Sequence, residues 1–363
     1  MVLKIAAFEC FPTSQRGGSE KAFFEVLIGL SKLHFQILLF YNIYGDLIPK
    51  YEAAGIKCIK IPCLKIDYFS LKNWCNLLII GKKISNIKPD FLYINYLADS
   101  PMVAVTKLFS KKIKTICHLR VPKIGESRVF NFCGKYIDLF ISVNLFIKKE
   151  YQSIFKPAKI IVINDGIIIP DKIYPLKLSK NFSATYLGRI SHEKGILELI
   201  DAWQILIEKY QLKILLSITG PAVSDAEIEY KKKVATKIKT LKYSEIISIE
   251  NPVNNVINHL KAFDFSLFPS IIDESFGRTI SESILAGVPV FSRNVGIVNE
   301  ILAPEKISLI FNDQEELAYK IDQFYKGNIT INMQNLQRHI IENYNVNENV
   351  KLIAKHLEKL SFG

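Results

Sequence analysis

Residues 274–290 read ESFGRTISESILAGVPV, and they decide how the rest of the chain is organised. The apolar run FDFSLFPS (263–270) precedes them and has the length and composition of a buried strand ending at Pro269. IIDESFGR is then the loop at the carboxyl end of that strand. A short helix over about Thr279 to Ala286 follows, stopped by Gly287. Pro289 cannot prolong the helix, and PVFS starts another strand. Strand, loop, helix and strand in this order form one step of a parallel α/β sheet, whose ligands sit beyond the carboxyl ends of the strands.

Within that step the backbone N–H groups around Ser275, Phe276, Gly277 and Arg278 lie at a helix N-terminus, where the dipole and unpaired donors favour an anion. Gly277 lets the backbone approach a ligand closely. Glu274 before this point and Glu282 on the helix are poor neighbours for a phosphate. They are good acceptors for the hydroxyls of a sugar and a ribose, which together with a phosphate bridge make a nucleotide-sugar. A solvated helix face and a helix N-terminus also select acids, so the segment alone leaves both readings open.

The same grammar extends outward in both directions. VLKIAAFEC, FQILLFYN, IKCIKIP, DFLYINY, IKTICHL, DLFISV and KIIVI read as strands in the first half, with helical spacing between most of them. The pattern restarts at FSATYLG (182–188) after IIIPDKIYPLKLSK, the expected linker. Strands alternating with helices predict parallel sheets covered on both faces. The expected class is α/β with two Rossmann-like domains facing each other across a cleft: 1–170, 171–345, and a last helix, 346–363, crossing back to the first domain.

Composition narrows the classes further. At 363 residues and 49% hydrophobic residues, the chain is long enough for two globular cores. No apolar run approaches the roughly 20 residues of a membrane span. MVLKIAAFEC is too short and strand-like for a signal peptide, so a cytoplasmic protein is expected. Cys10, Cys58, Cys63, Cys75, Cys117 and Cys133 have no paired spacing, which points to free thiols rather than zinc or disulfides. The net charge of +12 lies wholly in residues 1–170, with 24 Lys and Arg against 12 Asp and Glu. A basic first half suits an anionic partner or is simply a lysine-rich solvated surface. No recognisable nucleic-acid element accompanies it, and no nucleic-acid partner is expected.

Taken together, ESFGRTISE with the following AGVPV, Gly296 and Glu300, the upstream YLGRISHEKG, and the early PTSQRGGSEKA resemble the GT4-type retaining glycosyltransferases of GT-B fold. The resemblance covers nearly the whole chain. It implies that Glu274 binds donor-sugar hydroxyls, that the backbone of Ser275 to Arg278 meets sugar and phosphate, and that Glu282 binds the ribose. It implies that Arg189 and Lys194, after Gly188, hold the donor diphosphate. Gly17 and Gly18 match the family's N-terminal glycine loop, whose backbone amides would meet the donor phosphates or the acceptor. His118 matches a histidine near the transferred sugar. Two places depart from the pattern: Asp165 stands where Asn precedes the hinge glycine, and Ile297 replaces the second glycine before Glu300.

Two fixed cations can neutralise a departing diphosphate, and the sequence contains no Asp-x-Asp, so no metal cofactor is expected. The implied activity is transfer of a sugar from a nucleotide-sugar, UDP favoured over GDP. The acceptor would be a glycan or polyprenyl-linked saccharide, in cell-surface polysaccharide or lipopolysaccharide synthesis. Basic aromatic segments at 125–140 and 145–159 suit peripheral contact with an anionic membrane at the inner face of the cell membrane. The alternatives are a sugar-nucleotide epimerase of the same architecture and a non-catalytic binding partner. An epimerase would need acid–base residues and no acceptor; a silent partner would be expected to have lost Lys194 or Glu274.

Overall fold

Among the described residues, thirteen strands fall into two wholly parallel sheets. β1 (Lys4–Phe8), β2 (Gln36–Tyr41), β3 (Lys57–Lys60), β4 (Phe91–Ile94), β5 (Lys114–Leu119), β6 (Leu139–Ser142) and β7 (Ile160–Val162) make a sheet in the order 3-2-1-4-5-6-7. β8 (Ser183–Leu187), β9 (Leu215–Thr219), β10 (Ile247–Glu250), β11 (Phe265–Phe268), β12 (Val290–Arg293) and β13 (Ile310–Phe311) make the second, in the order 10-9-8-11-12-13. The coordinates are a computed structural model and describe residues 2–14, 18–62, 71–122 and 128–362. Renumbered from its own first strand, the second sheet repeats the 3-2-1-4-5-6 order of the first. Each therefore reverses direction between its first and fourth strands, at β1/β4 and at β8/β11, which is where doubly wound sheets bind ligands.

Unit 1 comprises Met1–Ile168 and Asn345–Gly363, and unit 2 comprises Ile169–Tyr344. In unit 1, β1 alternates its side chains between two cores. Ile5 and Ala7 meet Phe23, Leu27 and Leu30 of helix Gly18–Lys32 on one face. Ala6 and Phe8 meet Ile80, Ile84 and Met102 on the other. The final helix, Val346–Phe362, closes the first of these cores with Val350, Ile353 and Leu357. Its start is tied by Val346 N–H to the Ile167 carbonyl at 3.1 Å, and by Asn349 Nδ2 to the Asn164 carbonyl at 2.8 Å.

In unit 2, helix Ile196–Glu208 buries Leu199, Ile200 and Trp203, with the Trp203 Nε1 donating to the Ile214 carbonyl at 2.9 Å. The stretch read as a linker, 167–180, has no regular structure for most of its length, and from Ile169 onward it belongs to unit 2. Gln337 Nε2 donates to the Tyr174 carbonyl at 2.7 Å, and the Lys261 ammonium lies 3.8 Å from the Tyr174 ring centre. The helix expected over 279–286 runs from Arg278 to Leu285.

Candidate functional site

Unit 2 gathers its polar residues at the switch point. Gly188 and Arg189 leave β8, and residues 269–277 leave its neighbour β11. Two close backbone approaches hold these loops in place. A Cβ on Gly195 would lie 2.2 Å from the Pro269 carbonyl oxygen, and Gly195 has φ +63. A Cβ on Gly296 would lie 2.3 Å from the Glu274 carbonyl oxygen, with φ +49. Glycine at both positions lets the Lys194 turn and the 294–297 loop close against residues 269–274 from either side. Hydrogen bonds complete the frame: Ile271 N–H donates to the Glu193 carbonyl at 2.9 Å, and Ile297 N–H to the Glu274 carbonyl at 3.0 Å. Gly296 N–H donates to Asp273 Oδ1 at 2.7 Å.

This frame explains one departure from the family pattern. Ile297 has φ −68 and is fully buried, so its position needs no glycine, and the close approach to Glu274 falls on Gly296 alone.

Within the frame the charges are paired. Lys194 Nζ forms an ion pair with Glu274 Oε1, which also accepts from Ser270 Oγ at 2.9 Å; both charged side chains are 18% exposed. Arg189 reaches Glu227 at 2.9 Å, its own side chain 41% exposed. Glu227 closes a capping box with Ser224 at the start of helix Asp225–Thr240. Burial alone would raise the Glu227 carboxyl, but the N–H groups of Ser224 and Val223 and the Arg189 guanidinium hold it below its ordinary range. Arg278 Nε donates to Glu282 Oε1 at 2.9 Å across one helical turn. Gly277 is the N-cap of helix Arg278–Leu285, and no side chain caps that end. Phe276 buries its ring 6.2 Å from that of Tyr344. Of the residues picked from sequence, Gly188, Arg189, Lys194, Glu274, Ser275, Phe276, Gly277, Arg278 and Glu282 all lie on the loops and helix that follow β8 and β11.

Unit 1 places its picks differently. Gly17 lies outside the described residues. Gly18 opens helix Gly18–Lys32. His118 is the penultimate residue of β5, its side chain buried, Nδ1 lying 2.8 Å from the Tyr93 hydroxyl and 3.0 Å from Arg120 Nη2. Burial, and secondarily the Arg120 charge, push the His118 imidazole well below its usual pKa, so it is neutral near pH 7. Arg120 in turn is ion-paired with Asp165, both buried. The second departure from the family pattern thus has an electrostatic reason: an aspartate at 165 neutralises a buried guanidinium.

Beside this pair, Glu9 after β1 accepts from Asn95 Nδ2 after β4 at 2.5 Å. Burial and the neighbouring Glu20 and Asp99 raise Glu9 well above the carboxylate range. Burial also pushes Asp99 up to about 7, and its Oδ2 is shielded and has no hydrogen-bond partner.

Sequence reasoning did not select Arg120, Glu9, Asn95, Asp99, Ser270 or Glu227. Two of them carried a signal. Arg120 stands two residues after His118, on the same side of an extended strand. Ser224 and Glu227 have the spacing of a capping box before an amphipathic run. Among the described residues, no group of three or more His, Cys, Asp or Glu side chains gathers in a way that could hold a metal ion.

The model of the family "Glycosyl transferases group 1" matches residues 172–355. A capsular polysaccharide biosynthesis glycosyltransferase of Staphylococcus aureus, CapH, is 22% identical over 296 residues, covering 76% of this chain and 78% of its own. A glycosyltransferase of Rickettsia africae superposes with a TM-score of 0.83 at 19% identity, covering 99% of this chain and 98% of that one. HepE of Anabaena, solved with UDP and glucose, gives a TM-score of 0.81 at 19% identity, covering 98% and 100%. The architecture is thus the GT-B fold. The chain belongs to the group 1 glycosyl transferase family and is a glycosyltransferase.

Proposed function

We propose that the chain moves a sugar from a nucleotide-diphosphate donor, a UDP-sugar in preference to a GDP-sugar, to a hydroxyl of a glycan or lipid-linked saccharide. Transfer proceeds with retention at the anomeric carbon and needs no metal ion. The observation that carries this reading is the Lys194–Glu274 contact at the β8/β11 switch point, flanked by Arg189 and Glu282. Partly exposed pairs of this kind can exchange one carboxylate for another anion at modest cost.

In the donor complex the diphosphate replaces Glu274 on Lys194 and Glu227 on Arg189. The two cations then neutralise the charge that develops on the leaving diphosphate. Glu274, released, accepts hydrogen bonds from the hydroxyls of the donor sugar. The uncapped N-terminus of helix Arg278–Leu285 donates to phosphate oxygen through the N–H groups after Gly277. Glu282, oriented by Arg278, accepts from the ribose. The acceptor hydroxyl attacks from the face that the diphosphate leaves and gives its proton to the departing phosphate oxygen, with no covalent enzyme intermediate, so the protein contributes position and charge.

The UDP and glucose bound in the HepE structure support the choice of donor class, and the capsular polysaccharide role of CapH supports a cell-surface glycan as product. The setting is the cytoplasm, at the inner face of the cell membrane.

Thermal unfolding with UDP, GDP and NAD, each in EDTA, tests the reading. UDP at 100 times its dissociation constant is expected to add about 2.7 kcal/mol of stability. Stabilisation by NAD alone, or by UDP only when a divalent ion is restored, contradicts it.

A further inference from the structure

Ser270 is the second residue beyond β11 and sits where the loops carrying Lys194 and Glu274 meet. It is buried, with 1% of the residue exposed. Its one hydroxyl hydrogen has three oxygens in reach: Glu274 Oε1 at 2.9 Å, the Glu193 carbonyl at 3.1 Å and the Ile272 carbonyl at 3.4 Å. The carboxylate is the nearest of the three and, being charged, the strongest acceptor, so the hydrogen goes to Glu274. The Glu193 carbonyl already accepts from the Ile271 N–H at 2.9 Å, so the join between the two loops does not depend on the Ser270 side chain.

Among the described residues, Lys194 and Ser270 are the side chains that donate to Glu274, and both act on Oε1. They differ in what holds them. Lys194 arrives on a flexible four-carbon stem, and its ammonium is the group assigned to the diphosphate. Ser270 has one side-chain torsion, and the backbone on either side of it is fixed. Before it, the Pro269 carbonyl presses on Gly195, where a Cβ would lie 2.2 Å away. After it, Ile271 is bonded to Glu193. When Lys194 turns to a diphosphate, Ser270 stays.

On the reading of Lys194 and Glu274 proposed above, we infer that Ser270 is a positioning residue for the sugar half of the donor. Its hydroxyl keeps Glu274 oriented through Oε1 once Lys194 has left, and Oε2 is open to the sugar hydroxyls. A glutamate with 18% of its side chain exposed and no remaining donor would turn freely in water, and the sugar would have to order it on binding. Ordering it in advance removes that cost. The groups assigned to the diphosphate and the ribose are Arg189, Lys194, the N–H groups after Gly277, and Glu282. Ser270 touches none of these side chains, so loss of its hydroxyl falls on the sugar and spares UDP.

Calorimetric titration in EDTA tests this, with UDP, UDP-glucose, UDP-galactose and UDP-N-acetylglucosamine added to the wild type and to Ser270→Ala. The variant is expected to bind UDP within about two-fold of the wild type, and to bind the UDP-sugar that the wild type prefers about ten-fold more weakly, the worth of a hydrogen bond to a charged group. Unchanged UDP binding also shows that the variant is folded. Ser270→Cys keeps the shape with a weaker donor; its loss should be intermediate, and it gives the same comparison if Ser270→Ala does not fold. Equal weakening of UDP and the UDP-sugar gives Ser270 a structural role alone and overturns the inference. An unchanged affinity for the UDP-sugar overturns it too. In both cases the donor reading stands, because the wild type still binds UDP. A wild type that binds neither UDP nor any of the three UDP-sugars overturns that reading and the role of Ser270 with it.

Discussion

The two sheets have the same strand order, and each places charged side chains at its switch point, yet the two clusters differ in their access to water. Beyond β8 and β11, Lys194 and Glu274 keep 18% of their side chains exposed and Arg189 keeps 41%. Beyond β1, β4 and β5, the Arg120 side chain has no exposure and Asp165 only 6%. A pair that keeps some contact with water can trade its carboxylate for a diphosphate more readily than a fully buried pair, which has already lost its water and cannot lose its partner cheaply. Equal topology therefore supports different work. We propose that the unit 2 cluster exchanges ligands, whereas the Tyr93–His118–Arg120–Asp165 chain in unit 1 ties the ends of its strands together.

The largest expected effect breaks this comparison on the buried side. Arg120→Met leaves Asp165 as a buried charge without its partner and should cost about 3–5 kcal/mol of stability, read from urea unfolding. A loss below ~1 kcal/mol would mean the pair is hydrated and the contrast is wrong.

On the exchangeable side, Lys194→Ala should lower kcat/KM for sugar transfer by roughly 100-fold or more, as removing one fixed charge from a leaving group does. Its stability should change by no more than about 1 kcal/mol, since a partly exposed pair is worth little. Steady-state kinetics beside urea unfolding separates the two. Glu282→Ala removes the acceptor proposed for the ribose and should weaken UDP binding about ten-fold, the worth of a hydrogen bond to a charged group. Calorimetric titration measures it, and an unchanged affinity assigns Glu282 to the helix surface alone.

A separate effect, on stability alone, concerns pH. In the folded chain Asp99 titrates at about 7, against an ordinary carboxyl near 4 in the unfolded chain. Between those values the folded state holds the extra proton, so this group's contribution to stability falls as pH rises, by at most about 1.4 kcal/mol per unit. Asp99→Asn has no proton to lose and should flatten the decline in Tm between pH 5 and pH 8. An unchanged slope places the titration elsewhere.

Much of this was legible before any coordinates. Period and punctuation in FDFSLFPS, ESFGRTISE and AGVPV place a strand, a capped helix and the next strand, because glycine and proline act locally. The spacing of Glu274 and Glu282 and the Gly188-Arg189 and Lys194-Gly195 pairs marked the residues that the fold gathers around β8 and β11. Pairing was not legible. That Lys194 meets Glu274, 80 residues away, depends on the long-range approach of Gly195 to Pro269 and of Gly296 to Glu274. Asp165 looked like a hinge variant because its partner, Arg120, lies 45 residues earlier, just past the end of β5. His118 matched a family position, but its burial, its neutral state and its bond to Tyr93 come from packing that no local pattern encodes. Ile297 looked like a lost glycine, and only backbone geometry shows that Gly296 carries the close approach.

The contrast between exchangeable and buried charge is tested most directly by titrating UDP, in EDTA, into the wild type, Lys194→Ala and Arg120→Lys. Binding is expected in the wild type and in Arg120→Lys, which keeps a cation beside Asp165, and a loss of at least about ten-fold is expected in Lys194→Ala. Wild-type affinity in Lys194→Ala, or an equal loss in Arg120→Lys, would place the donor elsewhere and contradict the account.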